Sequence, residues 1–299
     1  MQRLTPWLTL SPDAPVDLQM HTSNSDGSCT PQELVDYLVK EQFALVAITD
    51  HERVDTVAQV QRYAAERGLH VLAAVEMSTN WHGRPTDILC FGFDPAHHGL
   101  GELARRVRDA EEHWARQMLD ALEHEGYRFA RQQEVLKNHR GQPKNAGDIY
   151  ELLLQHGYVH NEQEFNPLFE HLVASGLIQP YDPYRMTNDL VAVVAAAHQS
   201  GAICILAHPG RGGTYPRYTP TLLDQLLAEV PLDGIEAYYP THSDEQREEY
   251  LAYARQHNLL VSSGSDSHGL RAATDRAPIK YPARLSQQLL ERLGVQLRA

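Results

Sequence analysis

Histidine and acidic side chains recur along the chain where short apolar runs end. The motifs are Asp17-Leu18-Gln19-Met20-His21, Ser25-Asp26-Gly27, Thr49-Asp50-His51, Glu76, Ala207-His208-Pro209 and Ser265-Asp266-Ser267-His268-Gly269. Imidazole nitrogens combined with carboxylate oxygens suit Zn²⁺, Mn²⁺ or Fe²⁺, whereas sites made of oxygen alone favour Mg²⁺ or Ca²⁺. The pattern therefore predicts one centre of transition-metal ions assembled from distant segments of the chain.

The spacing within the motifs supports this prediction. Residues two apart on an extended strand face the same way, which pairs Gln19 with His21 and Asp266 with His268. Gly264, just before the second pair, lets the backbone bend there. Glu76 ends an apolar run and is placed to bridge two cations, an arrangement that holds metal ions about 3.5–4 Å apart.

Each motif also has an ordinary structural explanation. Asp26 before Gly27 is a common turn pair, Asp50 could cap a helix, and His208 before a proline could simply end a strand. The joint placement of the whole set at strand ends favours the metal site over these separate explanations.

The elements that position these residues alternate between strand and helix. Apolar runs at 16–20, 44–48, 71–75 and 88–91 predict strands, with helices at 31–40 and 54–67 between them. Pro31 directly after Thr30 is typical of a helix start, because the first turn does not use the missing amide. This βαβα order predicts a mainly parallel sheet.

Helical patterns dominate residues 94–200, and strand and helix alternation resumes at 202–207, 222–228, 234–239, 244–257 and 259–262. We therefore expect a single barrel, formed by residues 1–93 and 201–299, that is interrupted by a helical insertion subdomain over 94–200.

The composition narrows the class of protein. A formal charge of −13, from 39 acidic and 26 basic residues, argues against a surface for extended duplex nucleic acid. Three widely spaced cysteines suggest no disulfide framework. The first fifteen residues lack the pattern of a leader, and no segment approaches the roughly 20 apolar residues of a membrane span. We expect a cytoplasmic protein without membrane segments, of unknown oligomeric state.

With these motifs in this order, the chain resembles the polymerase and histidinol phosphatase (PHP) family of the amidohydrolase superfamily, and most closely its small nucleotide phosphoesterases. The resemblance implies a distorted (β/α)₇ barrel with two or three divalent ions (Mn, Zn or Fe, with Mg as an option) that hydrolyses phosphate esters. It implies three groups of ligands: His21, Glu76 and Asp266; Glu76 and His208; and Asp26, His51 and His268.

Two positions depart from the family pattern. Gln19 stands where the family usually has the first histidine of His-x-His, and Asp87 stands where a histidine precedes the fourth strand. Asp87 can still be a ligand, and it shifts the preference towards harder ions. His82 is a nearby alternative ligand. In the insertion, Lys144 and Asp148 stand where relatives carry an arginine and a histidine for phosphate.

The expected reaction is hydrolysis of a phosphate ester by a metal-activated hydroxide. Arg211 is a candidate phosphate ligand because its planar fork matches two oxygens at once. His242 is a candidate for binding phosphate or protonating the leaving group, and Lys144 for binding substrate. The expected substrate is a small phosphorylated metabolite, such as a nucleotide bisphosphate or an oligonucleotide end. Two alternatives stay open: a histidinol phosphate phosphatase, or a barrel with a degraded metal centre that serves as a binding or regulatory module.

Overall fold

The computed structural model describes residues 7–180, 182–213, 215–270 and 275–298. Its fold is mixed α/β. The strands are β1 (Leu8–Leu10), β2 (Pro15–Asp17), β3 (Leu45–Ala47), β4 (His70–Leu72), β5 (Ala74–Trp81), β6 (Arg84–Phe91), β7 (Asn188–Asp189), β8 (Ile203–Leu206), β9 (Gly234–Tyr238), β10 (Leu260–Ser263), β11 (Tyr281–Pro282) and β12 (Val295–Leu297). The helices are α1 (Pro31–Lys40), α2 (Val57–Ala65), α3 (Leu100–His124), α4 (Gln132–Val135), α5 (Ala146–Gln155), α6 (Glu162–Ala174), α7 (Pro183–Met186), α8 (Leu190–Gln199), α9 (Pro220–Glu229), α10 (Asp244–His257) and α11 (Gln287–Arg292).

The chain divides into two compact units. The first consists of Met1–Ala104 and Thr187–Ala299, and it contains every strand of the described residues. The second, Arg105–Met186, contains most of α3 together with α4 to α7. The second unit is shorter at both ends than the insertion predicted over 94–200, because α8 and the start of α3 pack with the first unit.

The strands of the first unit form three sheets. Their orders are β10-β9-β8-β6-β5-β7, β11-β2-β3-β4 and β1-β12. Backbone hydrogen bonds also link the two larger sheets: Leu18 N donates to Ser263 O at 3.1 Å, and Glu76 N donates to Thr49 O at 3.0 Å. The carboxyl ends of β2, β3, β8, β9 and β10 are therefore brought towards one another.

Most strand pairs are parallel, as the sequence predicts, but β6 runs antiparallel to both β5 and β8. The sequence prediction missed this hairpin. Its turn places His82 at φ 52° and Gly83 at φ 77°. Two successive positive φ angles are the signature of a tight hairpin turn whose twist matches the strands.

Alternating residues of the strands pack into two separate cores of the first unit. On β6, Ile88 and Cys90 join the core under α8, α9 and α10, whereas Leu89 and Phe91 join the core that contains α11. This is the period of two expected of a strand that is buried on both faces.

The predicted helices at 31–40 and 244–257 are confirmed at both ends. Thr30 caps α1 in a reciprocal capping box with Glu33, and Pro31 opens the helix. Among the described residues, none of the helices is both long enough and apolar enough to cross a bilayer.

Candidate metal centre

The sequence motifs meet where the strands of the first unit end. His21 follows β2, His51 follows β3, His208 follows β8, and Asp266 follows β10, while Glu76 lies within β5. Isolated bridges fix the neighbouring backbones, pairing Met20 with Ser267 and His51 with Glu76. The separation of these residues in the sequence is therefore no obstacle to a common site.

Three fully or almost fully buried side chains form what we call the inner group: His21, Glu76 and Asp266. His21 Nε2 lies 3.1 Å from Glu76 Oε2 and 3.2 Å from Asp266 Oδ1. Neither ring nitrogen of His21 has a hydrogen-bond partner among the described residues, although both are buried. Two carboxylate oxygens around an imidazole nitrogen that makes no hydrogen bond are a set of donors that suits a divalent cation.

A second set of buried donors shares Glu76. His208 Nε2 lies 3.0 Å from Glu76 Oε1 and 3.7 Å from Asp87 Oδ2. Asp87 Oδ2 is buried and has no hydrogen-bond partner among the described residues. Asp87 reaches this place because β6 is antiparallel, and Ala207 N donates to its carbonyl oxygen at 3.0 Å.

The outer group consists of Asp26, His51 and His268, which are partly exposed. Asp26 Oδ2 lies 3.1 Å from His268 Nε2 and 3.9 Å from His51 Nε2. The ring of His21 stacks between the two imidazoles, with centroids 4.4 Å from His268 and 4.8 Å from His51. His21 Nδ1 is 3.6 Å from Asp26 Oδ1, so one imidazole faces both groups.

The buried groups strongly shift one another's protonation. Burial lowers the pKa of His21, but the adjacent carboxylates of Asp266 and Glu76 outweigh burial and raise the pKa well above its ordinary value. Burial raises the pKa of Glu76, but His51, His208 and His21 hold that pKa well below its ordinary value. The pKa of Asp266 falls to about 2 despite burial, mainly because of His21. Carboxylates that stay ionised at such depth need compensating positive charge.

Two proposed ligand positions adopt backbone conformations that most residues avoid. His208 has φ 30° and Asp266 has φ 52°. Positive φ in residues other than glycine costs free energy and occurs often at functional sites. Glu236 supports the first of these turns, because its Oε2 accepts a hydrogen bond from His208 N at 2.9 Å.

Gln19 takes a supporting place beside the inner group. Its Nε2 donates to Glu76 Oε2 at 2.9 Å, and its Oε1 has no partner among the described residues. Glu236 Oε1 is likewise buried without a partner, and burial raises the pKa of Glu236 well above its ordinary value. Glu236 was not among the residues predicted from the sequence, although an acidic residue within the apolar strand Gly234–Tyr238 points to a special role.

Arg211 lies at the edge of the centre. Its Nη1 is 4.0 Å from Asp266 Oδ2, and its guanidinium carbon is 4.9 Å from the centre of the Tyr215 ring. The Arg211 side chain is 40% exposed, which leaves it accessible to a ligand. Tyr239 donates to Asp266 Oδ2 at 2.9 Å, and neither tyrosine was singled out from the sequence.

His242 is buried and both of its ring nitrogens contact backbone groups. Nε2 accepts a hydrogen bond from Gly210 N at 3.0 Å, and Nδ1 lies 3.1 Å from Ala237 O, which it must donate to. Gln246 Nε2 donates to Gly210 O at 3.2 Å, so both peptide groups of Gly210 are held. A phosphate would have to displace these contacts to reach the ring.

Two other candidates belong to neither the inner nor the outer group. Lys144 belongs to the second unit, where its ammonium lies 2.8 Å from Glu112 Oε2. His82, the alternative to Asp87, is 63% exposed and pairs with Glu229 at 2.8 Å. Neither residue contributes to the clusters of potential metal ligands in the described part of the chain.

A further cluster joins His198, Cys204 and Asp233. Asp233 Oδ2 already accepts from Cys204 N at 2.9 Å and contacts His198 Nε2 at 2.8 Å, and Oδ1 lies 3.2 Å from Arg292. Both oxygens of Asp233 therefore already have partners. We interpret the cluster as a hydrogen-bonding network that stabilises the fold.

A family model described as "PHP domain" matches residues 17–211 of the chain. This match covers more than half of the 299 residues. The chain belongs to the PHP domain family. The matched range includes the inner-group residues His21 and Glu76, but Asp266 and the outer-group residue His268 lie beyond it.

Similar proteins carry related descriptions. A 3′,5′-nucleoside bisphosphate phosphatase of Chromobacterium violaceum is 28% identical over 258 residues, which is 85% of this PHP chain and 87% of that protein. A 5′-3′ exoribonuclease of Escherichia coli is 27% identical over 254 residues, or 84% of each chain. The solved structure of a sulfate-bound amidohydrolase from Chromobacterium violaceum is 26% identical with a TM-score of 0.71, covering 93% of this chain and 96% of that one.

Proposed function

We propose that this PHP-domain chain is a metal-dependent phosphoesterase that hydrolyses a small phosphorylated nucleotide, with a nucleoside bisphosphate or an oligonucleotide end as the substrate. The single observation that carries the proposal is the His21 imidazole. Its Nε2 is buried within 3.2 Å of two carboxylates and makes no hydrogen bond to the described residues.

The proposed ligands are the buried donors and the outer group together. His21, Glu76 and Asp266 would hold one ion, and Glu76, Asp87 and His208 a second. Asp26, His51 and His268 would hold a third. Bound divalent ions in such a centre supply Lewis-acid polarisation of phosphoryl oxygens and a hydroxide nucleophile near neutral pH.

The roles of the protein's own side chains follow from their positions. Gln19 orients Glu76 through its amide hydrogen bond. Arg211 neutralises and orients a phosphate, because a half-exposed guanidinium beside the centre presents two parallel donors. His242 serves this site indirectly, by holding the backbone of the segment that carries His208 and Arg211.

We also propose that the strands β2 to β6 and β8 to β10 form the distorted (β/α)₇ barrel of the family, with β4 and β5 as one bent strand. Hydrogen bonds that join β2 to the end of β10 support closure of the ring. The second unit, Arg105–Met186, would then be the helical insertion of that barrel.

The similarity to a nucleoside bisphosphate phosphatase and to an exoribonuclease favours a nucleotide over histidinol phosphate as the substrate. A degraded centre without activity is disfavoured by Asp87, whose unpartnered Oδ2 points to the donors that it would join.

Phosphate release tests the proposal. Protein stripped with a chelator should release no phosphate from a 3′,5′-nucleoside bisphosphate, a 5′-phosphorylated oligoribonucleotide or histidinol phosphate, and added Mn²⁺ should restore release from the nucleotides. Full activity after exhaustive chelation, or no activity on any of the three with Mn²⁺ bound, would contradict it.

Arg211 offers a sharper test of phosphate binding. Arg211→Gln should lower kcat/KM by about 10- to 150-fold, since a hydrogen bond to a charged group is worth about 1.5–3 kcal/mol. If Arg211 binds the ground state and the transition state alike, KM rises and kcat changes little. Arg217→Gln is the matched control, because Arg217 pairs with Glu249 at 3.2 Å on the surface. An unchanged rate for Arg211→Gln would exclude Arg211 from the site.

A further inference from the structure

The second unit contains a basic segment in a chain that is acidic as a whole. Residues 126–145 include five basic residues and a single acidic one, whereas the whole chain has a formal charge of −13. Two of the four lysines of the chain lie in these twenty residues. A local concentration of positive charge against an acidic background focuses the field on one surface.

The fold places this basic segment alongside α5. At the amino end of α5, His139 Nδ1 lies 2.7 Å from Asp148 Oδ2, and Lys144 N donates to the same oxygen at 2.7 Å. At the carboxyl end, Arg131 N donates to His156 Nε2 at 3.1 Å. The basic segment therefore follows the helix from one end to the other, as a strip.

Two cations next to His139 are available to an anion. Lys137 and Arg140 are exposed, and neither has a carboxylate partner among the described residues. Arg140 is held in a left-handed turn with φ 55°, and Gly141 N donates to Leu136 O at 2.9 Å. A fixed turn that presents unpaired cations is better organised for binding than a mobile tail.

An aromatic ring is exposed at one end of the same strip. Tyr158 is 40% exposed, and its hydroxyl accepts from Arg128 N and donates to Arg128 O, both at 3.1 Å. Its ring packs edge-on against Tyr127, with centroids 4.8 Å apart. The hydroxyl is thus anchored to the backbone of the strip, and part of the ring remains open to solvent.

We infer that this strip, residues 126–145 together with Tyr158, binds a single-stranded nucleic acid through Lys137, Arg140 and the Tyr158 ring. Two other cations of the strip are already paired, Lys144 with Glu112 and Arg131 with Glu134. Cations contact the phosphates, and the exposed ring stacks on a base, which is how proteins bind single strands without reading their sequence. A duplex hides its base faces, so the tyrosine favours a single strand. The inference rests on the proposed function for the choice of RNA as the ligand, and the strip itself lies within the second unit.

Binding to a fluorescent, 5′-phosphorylated ten-nucleotide RNA tests the inference. The full-length protein is used with chelator present, so that no hydrolysis occurs and binding is measured independently of the proposed activity. Wild-type protein should bind at low salt with an affinity that falls as salt rises. Lys137→Gln combined with Arg140→Gln should reduce the slope of log Kd against log salt by about 1.4, since each single-strand phosphate contact contributes about 0.7.

Tyr158 provides the test that separates nucleic acid from other polyanions. Tyr158→Leu should weaken RNA binding by about 5- to 150-fold, the range measured for loss of one stacked base, whereas Tyr158→Phe should retain most of it. Arg105→Gln is the matched control, because Arg105 lies in the same unit and pairs with Asp109 at 2.8 Å. Thermal unfolding should show that all of these variants remain folded.

Three results would overturn the inference. They are the absence of RNA binding by wild-type protein at low salt, equal binding by all variants, and stronger binding to phosphatidylglycerol vesicles than to RNA. Phosphate release from a nucleoside bisphosphate would remain in each case, leaving the proposed function intact. RNA binding without any phosphate release would instead support the strip and contradict the proposed function.

Discussion

The inner and outer groups use the same residue types in different surroundings. His21, Glu76 and Asp266 have side chains that are 0%, 0% and 6% exposed, whereas Asp26, His51 and His268 are 35%, 22% and 32% exposed. Water can compensate the charges of the outer group but not those of the inner group. The comparison indicates that the inner group depends on a bound cation far more than the outer group does.

The difference should appear as two classes of metal site. Buried charged ligands gain more from a cation, because the effective dielectric is lower there than at the surface. We therefore expect a tightly bound inner ion and a weaker, exchangeable outer ion.

The largest expected effect comes from the inner group. Glu76→Gln removes the carboxylate shared by the two buried sets of donors, so both should lose metal. We expect kcat/KM to fall by well over about 100-fold, since even the loss of a group that merely orients a ligand costs about 10- to 100-fold. Metal content measured by mass spectrometry should fall in parallel.

Glu249→Gln is a suitable control for this variant, because Glu249 is a surface carboxylate of the same unit that pairs with Arg217. If Glu76→Gln retains its full metal content, the inner group does not depend on a bound cation more than the outer group does.

A smaller effect is expected at the outer group. His268→Ala should remove one ion per chain and lower turnover by about 10- to 100-fold, with the fold and the inner ions retained. Added Mn²⁺ should partly restore the rate, because the remaining outer ligands still reach solvent. His97→Ala, at a side chain that is 85% exposed, is the control. If turnover is unchanged, the third ion has no part in the reaction.

Most residues of the two groups could be selected from the sequence. The reason for selecting them differs from residue to residue. His21, Glu76 and His208 were identified because each follows or ends an apolar run, and parallel strands bring their ends together. The burial of each side chain could not be predicted in the same way. Nothing in the motif Ser265 to Gly269 distinguishes the buried Asp266 from the partly exposed His268. Asp266 also has a positive φ, which is a property of the folded loop that the motif does not reveal.

Asp87 and His242 show two limits of the sequence analysis. Asp87 was a candidate ligand only through the family resemblance, and the strand direction that places it was not predicted. Asp87 joins the centre only because β6 reverses direction, and the hairpin signal at His82-Gly83 was not recognised. His242 follows a strand in the same way as the candidate ligands do, yet its ring is directed at the backbone of Gly210. The apolar pattern of the sequence predicts where a strand ends. The direction of the side chain that follows depends on how the folded chain packs around it.

The smallest expected effect concerns His242, which holds the backbone of Gly210 beside the centre. It is a change in stability with pH. Burial lowers the pKa of His242 to about 4, although its hydrogen bond to Ala237 O opposes the shift. An unfolded histidine has a pKa of about 6.5. Below that value the unfolded state binds the extra proton, so the contribution of His242 to stability is complete above pH 6.5 and is lost as the pH falls towards 4.

The size of this contribution is at most about 3 kcal/mol. Metal-free wild-type protein and His242→Gln, which keeps an acceptor for Gly210 N but does not titrate, should be unfolded with urea between pH 4 and 7. The difference between their free energies of unfolding should change with pH in the stated direction. A difference that is constant over this range would show that His242 does not titrate between the folded and unfolded states.

We propose that the buried imidazole of His21 and the carboxylates of Glu76 and Asp266 surround a divalent ion. Crystals soaked in Mn²⁺ and measured at the manganese absorption edge test it directly. We expect an anomalous peak between His21 Nε2, Glu76 and Asp266 that persists at Mn²⁺ concentrations too low to fill the outer group. Crystals with no peak among these three side chains, at any Mn²⁺ concentration, would contradict it.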